Sequence, residues 1–286
     1  MTETFGQALR RWRRLRRRTQ LDLALAAGYS QRHLSFLESG RSRPSRSAVL
    51  VLAEALDVPL RERNALLHAA GFAPGFSAEP LDSERLRPAV EALATVADAH
   101  RPFPALIVDR SWNVRGGNAN AFALFERYAE LSPGADGTLN ALALCVDPRG
   151  LRPRIRNWAS FMARLLTQFR LELAREDEPE LRALVERVEA DPEYRAGLRR
   201  DAGADPLRDP VATLVLEADG RELAFFTLHS NLAVAQDATL ADLRVETFFP
   251  ADAATRTALL ELDAALPSSA GTALPVPRSA RTAQPR

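Results

Sequence analysis

Residues 19–44 read TQLDLALAAGYSQRHLSFLESGRSRP, and this stretch decides the N-terminal fold. Thr19 offers a hydroxyl N-cap, and a helix is expected over residues 20–27 with Leu21, Ala24 and Leu25 on its buried side. Gly28 stands where the chain must turn left-handed, which costs glycine least. Ser30 caps a second expected helix running to about Ser39, and Gly40 closes it. Leu34 and Leu37, at i, i+3 spacing, point inward; Gln31, Arg32, Ser35, Phe36 and Ser39 fall on the opposite face. Two short capped helices joined by a tight turn form the helix-turn-helix layout, which places its second helix in the DNA major groove.

The outward face carries the groups such a helix needs. Gln suits adenine, Arg suits guanine, and an apolar ring such as Phe36 meets a thymine methyl. Gln20, opening the first helix, is placed for a phosphate, as are Arg41 and Arg43 just past the second. A capped helix pair with a merely polar surface would share this short pattern, and the flanks separate the two readings. Upstream, Phe5, Leu9, Trp12 and Leu15 form one apolar stripe; downstream, Val49, Leu52, Ala53 and Leu56 form another, followed by LRERNALLHAAGF. Five short helices are expected within about 72 residues.

This part of the chain resembles the Xre/Cro-type helix-turn-helix regulators. The resemblance is carried by Thr19-Gln20, Leu23-Ala24, Gly28, Ser30-Gln31, Leu34-Ser35, Glu38-Ser39-Gly40 and Pro44-Ser45, then Leu52-Ala53 and Ala55-Leu56. It implies Gln20 on phosphate, Gln31, Arg32 and Ser35 near bases, and a structural Glu38.

Charge is unevenly spread. Residues 1–72 hold 13 arginines against six acids, a net +7, whereas residues 73–286 carry a net −6. A basic head on an acidic body is the asymmetry of a DNA-binding module joined to a domain with another task. Seven arginines lie between Arg10 and Arg18; Arg10, Arg13 and Arg14 are the expected phosphate contacts, against the reading that the run only solvates helix 1. All 38 basic residues of the chain are arginine, so a single arginine weighs less here than in a mixed composition.

The length of 286 residues suggests two domains. The expected division is a DNA-binding head at 1–72, a Pro/Gly/Ser-bearing linker at 73–83, a second domain at 84–264 and a disordered tail at 265–286. No apolar run is long enough to span a membrane, no signal peptide is evident, and the cytoplasm is the expected location. The lone Cys145 excludes an internal disulfide and a Cys-based metal site, and the four histidines lack ligand spacing. There is no Gly-rich phosphate loop, and GGNANA at 116–121 lacks dinucleotide-binding spacing. No catalytic residues, metal or cofactor are therefore expected, and the chain is not read as an enzyme.

The second domain reads as α+β. A helix over 84–99 precedes FPALIVDRSWNVRGG, two strands with a turn near Asp109-Arg110; Asn118–Tyr128 is a short helix. A long helix carries Ile155, Trp158, Phe161/Met162, Leu165, Phe169 and Leu173, followed by helices at 178–190 and 192–202. PVATLVLEA and RELAFFTLHSN form a hairpin, ADLRVETFFP the last strand, and 253–264 a final helix. This order resembles the ligand-binding domain of MmyB-like transcription regulators, a PAS-like fold with an antiparallel sheet. The carriers are Pro104–Arg110, Trp112-Asn113-Val114, Asn118, Ala121, Leu124-Phe125, Leu144–Arg149, Asn157-Trp158, Arg164 and Leu243–Asp252; the stretch before residue 211 departs from the family pattern.

The resemblance implies an apolar small-molecule pocket, with a fatty acid or another apolar molecule as ligand. Its expected walls are Leu106 and Val108, then Trp158, Phe161, Met162, Leu165 and Phe169 from the long helix, and Leu214, Phe226 and Leu228 from the hairpin. Asn118, Arg164, His229 and Asn231 are the candidate headgroup contacts. The expectation for the whole chain is a regulator that binds double-stranded DNA as a homodimer, on an inverted repeat, under control of that ligand. The competing reading makes the second domain a dimerisation or protein-interaction module with no ligand, which a domain without a cavity would favour.

Overall fold

The computed structural model describes residues 3–130, 137–173, 178–200, 211–218 and 220–267. The expected tail beyond residue 267 lies outside the described residues. The chain divides into two compact units: Met1–Pro80 together with Leu171–Asp177 and Ala233–Ala241, and a second unit built from Leu81–Arg170, Glu178–Leu232 and the chain from Asp242 onward.

The first unit is helical: α1 (Phe5–Leu15), α2 (Gln20–Ala27), α3 (Gln31–Glu38), α4 (Arg46–Ala55) and α5 (Leu60–Ala69). Local chemistry sets the boundaries. Thr4 with Gln7, and Thr19 with Asp22, form reciprocal capping boxes, each hydroxyl accepting from the N3 amide. Ser30 and Ser45 cap α3 and α4 by accepting from His33 and Ala48 amides. Gly28 ends α2 at φ 71°, and Gly40 follows α3 at φ 74°. Leu9, Trp12, Leu23, Leu34, Leu52 and Leu67 fill the core that the five helices share.

In α2 the buried side is Leu23-Ala24, while Leu21 and Leu25, expected inward, face out. Leucines alternate at 21, 23 and 25, so a helical period cannot choose among them; packing does. Close approach fixes α1 on α3. A Cβ at Gly6 would stand 2.6 Å from the Leu37 carbonyl oxygen and 2.7 Å from that of Glu38, so only glycine fits.

Residues 73–80, expected as a linker, fold onto the head. The Asn64 side chain accepts from the Gly75 and Phe76 amides and donates to the Phe76 carbonyl. Asp237, ahead of the short α12 (Ala238–Ala241), accepts from the Glu79 amide, and the Ala238 amide donates to the Ser77 carbonyl.

The second unit opens with α6 (Arg87–Ala99). Five antiparallel strands follow: β1 (Ala105–Val108), β2 (Val114–Gly117), β3 (Leu214–Ala218), β4 (Arg221–Asn231) and β5 (Arg244–Pro250), in the order β2-β1-β5-β4-β3. Between β2 and β3 lie α7 (Ala119–Tyr128), α8 (Ala141–Val146), α9 (Trp158–Leu173), α10 (Pro179–Ala190) and α11 (Pro192–Arg200); α13 (Ala253–Ala265) follows β5. Register places Leu106 opposite Glu246, and Glu246 opposite His229. Residues 111–112, expected in a strand, instead form a turn. Asp109 accepts from the Ser111 and Asn113 amides and pairs with Arg115, and Trp112 sits at φ 66°.

Glu38 is the buried charge that joins three helices of the head. Arg13 donates to it through Nε and Nη2 at 2.6 and 3.0 Å, Gln20 at 2.8 Å, and Arg10 Nε lies 3.4 Å away. Burial pushes this carboxyl up, but the bonds from Arg13 and Gln20 and the charges of Arg13 and Arg10 outweigh it and hold the pKa below 4.5. Its stabilisation is therefore complete above pH 4.5 and is lost as the pH falls from there through the lower folded value. Glu38→Ala is expected to cost about 3 kcal/mol at pH 7, because it strands a largely buried Arg13. Urea unfolding at pH 7 and at acid pH checks this: the variant should also lose part of the wild-type acid dependence.

Candidate functional site

Two sites emerge, one in each unit. On the head, α3 leaves Gln31 and Arg32 exposed at its N-terminal turn, with Ser35 and Phe36 half-buried one turn on. The Arg32 guanidinium rests over the Phe36 ring, 5.4 Å from its centroid, which extends the side chain along the outer face. Ser30 is exposed while its hydroxyl caps the helix, and Arg41 and Arg43 are exposed just beyond it. This arrangement presents an amide, a guanidinium and a hydroxyl on one edge, flanked by further cations.

Besides Arg10, which pairs with Glu38 and donates to its carbonyl, two other expected DNA contacts are engaged within the chain. Arg13 bonds Glu38 and donates Nη1 to the Arg18 carbonyl, and its side chain is only 12% exposed. The Gln20 amide donates to Glu38. These two side chains brace α1 and α2 against the base of α3. Glu38 stands four residues after buried Leu34, on the same helical face, and that phase is the sequence signal for its burial.

In the second unit, a small cavity of about 50 Å³ lies between the sheet and the helices. Leu106 of β1, Leu214 of β3, Phe248 of β5, and Phe161 and Leu165 of α9 supply apolar walls. The polar lining comes from Trp112, Cys145, Thr227 and Glu246. Burial, and secondarily the charge of Glu246, pushes the Cys145 thiol up to about 12, so it stays a neutral thiol.

Of the residues expected in such a pocket, Leu106, Phe161, Leu165 and Leu214 line it. Met162 is fully buried outside the lining. Trp158 donates its indole N–H to the Cys145 carbonyl at 2.8 Å, beneath the Arg152 guanidinium. Arg164 donates to the Val211 carbonyl. Phe226 stacks on Phe249, and Leu228 is exposed, because the opposite phase of β4 faces inward: Phe225, Thr227 and His229 alternate on that side. Both phases of LAFFTL are apolar, so alternation could not select one. His229 lies outside the lining, edge-on to Trp112 and 3.5 Å from Glu246.

Asn118 is fully buried and serves the fold. Its side-chain oxygen accepts from the Ala105 and Ala121 amides, and its nitrogen donates to the Ala97 and Phe103 carbonyls. One side chain thus ties α6, β1 and α7 together. Sequence reasoning does not reach Trp112, Thr227 and Glu246 as polar cavity residues; the isolated acid within the apolar run RVETFF is the local signal for Glu246.

Residues 89–262 match the family model described as MmyB-like transcription regulator ligand binding domain, and residues 9–63 match the model described as helix-turn-helix. No curated protein matches the chain. No helix among the described residues is long and apolar enough to cross a membrane, and among them no cluster of His, Cys, Asp and Glu is arranged to hold a metal.

Removing the Asn118 side chain would orphan two amides and two carbonyls at the junction of three elements. Asn118→Ala is expected to lose about 3 kcal/mol of stability, since each buried unsatisfied group costs about 1–3 kcal/mol and some recover partners on relaxation. Thermal and urea unfolding of the full chain measure it, and an unchanged midpoint would contradict this assignment.

Proposed function

The chain belongs to the family of the MmyB-like transcription regulator ligand-binding domain, and we propose that it is a sequence-specific DNA-binding regulator whose second unit senses an apolar small molecule. The observation that carries the sensor reading is the apolar cavity enclosed by β1, β3, β5 and α9. A domain serving only dimerisation or protein interaction has no need of such a space.

The head supplies the DNA chemistry. Gln31, Arg32 and Ser35 read base edges in the major groove, with Phe36 for an apolar contact and Ser30 at the helix start. Arg41, Arg43 and the exposed Arg14 contact phosphates, which fix register and carry no sequence information. Arg13 and Gln20 act through Glu38, by holding the reading helix. Homodimers of such heads meet inverted half-sites about one helical turn apart. A ligand regulates this protein only to the extent that it binds one arrangement of the dimer more tightly than another.

The first test is native mass spectrometry of the freshly purified full chain, then solvent extraction. An apolar molecule released from the protein is the expected result; a chain that carries none and binds no alkyl probe overturns the sensor reading. For the head, DNA selection followed by fluorescence anisotropy should reveal a preferred inverted repeat, and equal affinity for random DNA would overturn sequence specificity. Arg32→Ala is expected to cost about 1–3 kcal/mol and to relax preference at one base position. Removing Arg41 or Arg43 should instead weaken binding to all sequences and flatten the salt slope by about 0.9 per contact.

A further inference from the structure

We infer that the cavity selects an apolar molecule whose head is uncharged and both donates and accepts a hydrogen bond, as a hydroxyl or primary amide does, and that it discriminates against a carboxylate head. This rests on reading the second unit as the sensor of an apolar ligand.

The polar groups on the cavity wall argue for it. Glu246 lies on the central strand β5, is 8% exposed, and brings a carboxyl to a wall otherwise built of leucine, phenylalanine and other small or apolar side chains. His229 Nε2 lies 3.5 Å from this carboxyl without forming a hydrogen bond to it. Trp112 is 2% exposed, lines the same cavity, and its indole Nε1 is buried without an acceptor among the described residues. A buried N–H left unmatched is unfavourable, and a bound molecule that supplies an oxygen removes that cost. The tryptophan is also held in the left-handed backbone region by the Asp109 turn, a conformation bulky residues adopt only when their surroundings enforce it.

Cations decide the sign of the selection. Among the described residues no arginine or histidine lines the cavity. Arg244 lies over the Trp112 ring, 4.2 Å from its centroid, and donates to the Arg110 carbonyl; it is not part of the lining. A ligand carboxylate would therefore be buried beside Glu246 with no charge to pair it, and like charges in an apolar setting repel strongly. A hydroxyl or amide head meets both walls: its hydrogen goes to the Glu246 carboxyl and its oxygen accepts from Trp112.

The test uses the full chain freed of lipid by solvent exchange, titrated calorimetrically at pH 8 with two ten-carbon probes, 1-decanol and decanoate. Wild type is expected to bind decanol at least ten-fold more tightly. Decanol also partitions better from water, so the decisive quantity is the change in that ratio in Glu246→Gln, which removes the like charge: decanoate should tighten about ten-fold relative to decanol. A ratio unchanged in the variant overturns the role of Glu246. If the variant does not fold, wild type decides alone, and decanoate binding as tightly as decanol overturns the inference while leaving the apolar sensor intact. Failure of both probes to bind overturns the sensor reading itself.

Discussion

A buried carboxylate is tolerated only when its surroundings replace the water it has lost, and Glu38 meets that condition from three directions. Arg10 and Arg13 come from α1 and Gln20 from the first residue of α2, while Glu38 itself ends α3. The positions of these helices are coupled, because a shift of any one would leave a charge or an amide unmatched in the interior. Gly6 adds a steric constraint at the same junction, where the α1 backbone reaches the last carbonyls of α3. The outer edge of α3, with Gln31 and Arg32, inherits this rigidity. The interior network thus fixes where these exposed side chains stand relative to the rest of the head.

The second unit solves a different problem, that of leaving space. Its sheet is closed off by Asn118, which bonds three elements at once, and by the aromatic packing of Phe125 and Phe225 on Phe248. That rigid corner lets the neighbouring region between β5 and α9 stay open without collapsing. Polar groups are sparse there, and they stand on the turn before β2, on the short α8 and on β4 and β5, elements anchored in the surrounding fold.

Much of this was legible in the sequence. Caps and glycines located α2 within a residue, and the order of helices and strands around the sheet followed from apolar runs and turn residues. Three kinds of information were not. The α8 and α12 helices, of six and four residues, are too short to show a period. Where leucines or phenylalanines occupy both phases, as in α2 and β4, the inward side is chosen by packing across the unit. The third kind is pairing at a distance: Arg13 and Glu38 stand 25 residues apart, and nothing local distinguishes this arginine from the six others in its run. Hence the candidate DNA edge was largely readable, being a local pattern, whereas the polar lining of the cavity was not, being assembled from β2's approach, α8, β4 and β5.

The clasp between Asp237 and the Glu79 amide joins residues 158 positions apart within the first unit. During synthesis the five head helices leave the ribosome early, with nearly all of their own contacts in place, since those are local. The last backbone partners of residues 77–79 emerge only after β4 has been made. The unit that carries α3 is thus completed by a piece of chain translated near the end, and a truncated product would present a head whose C-terminal edge is left open.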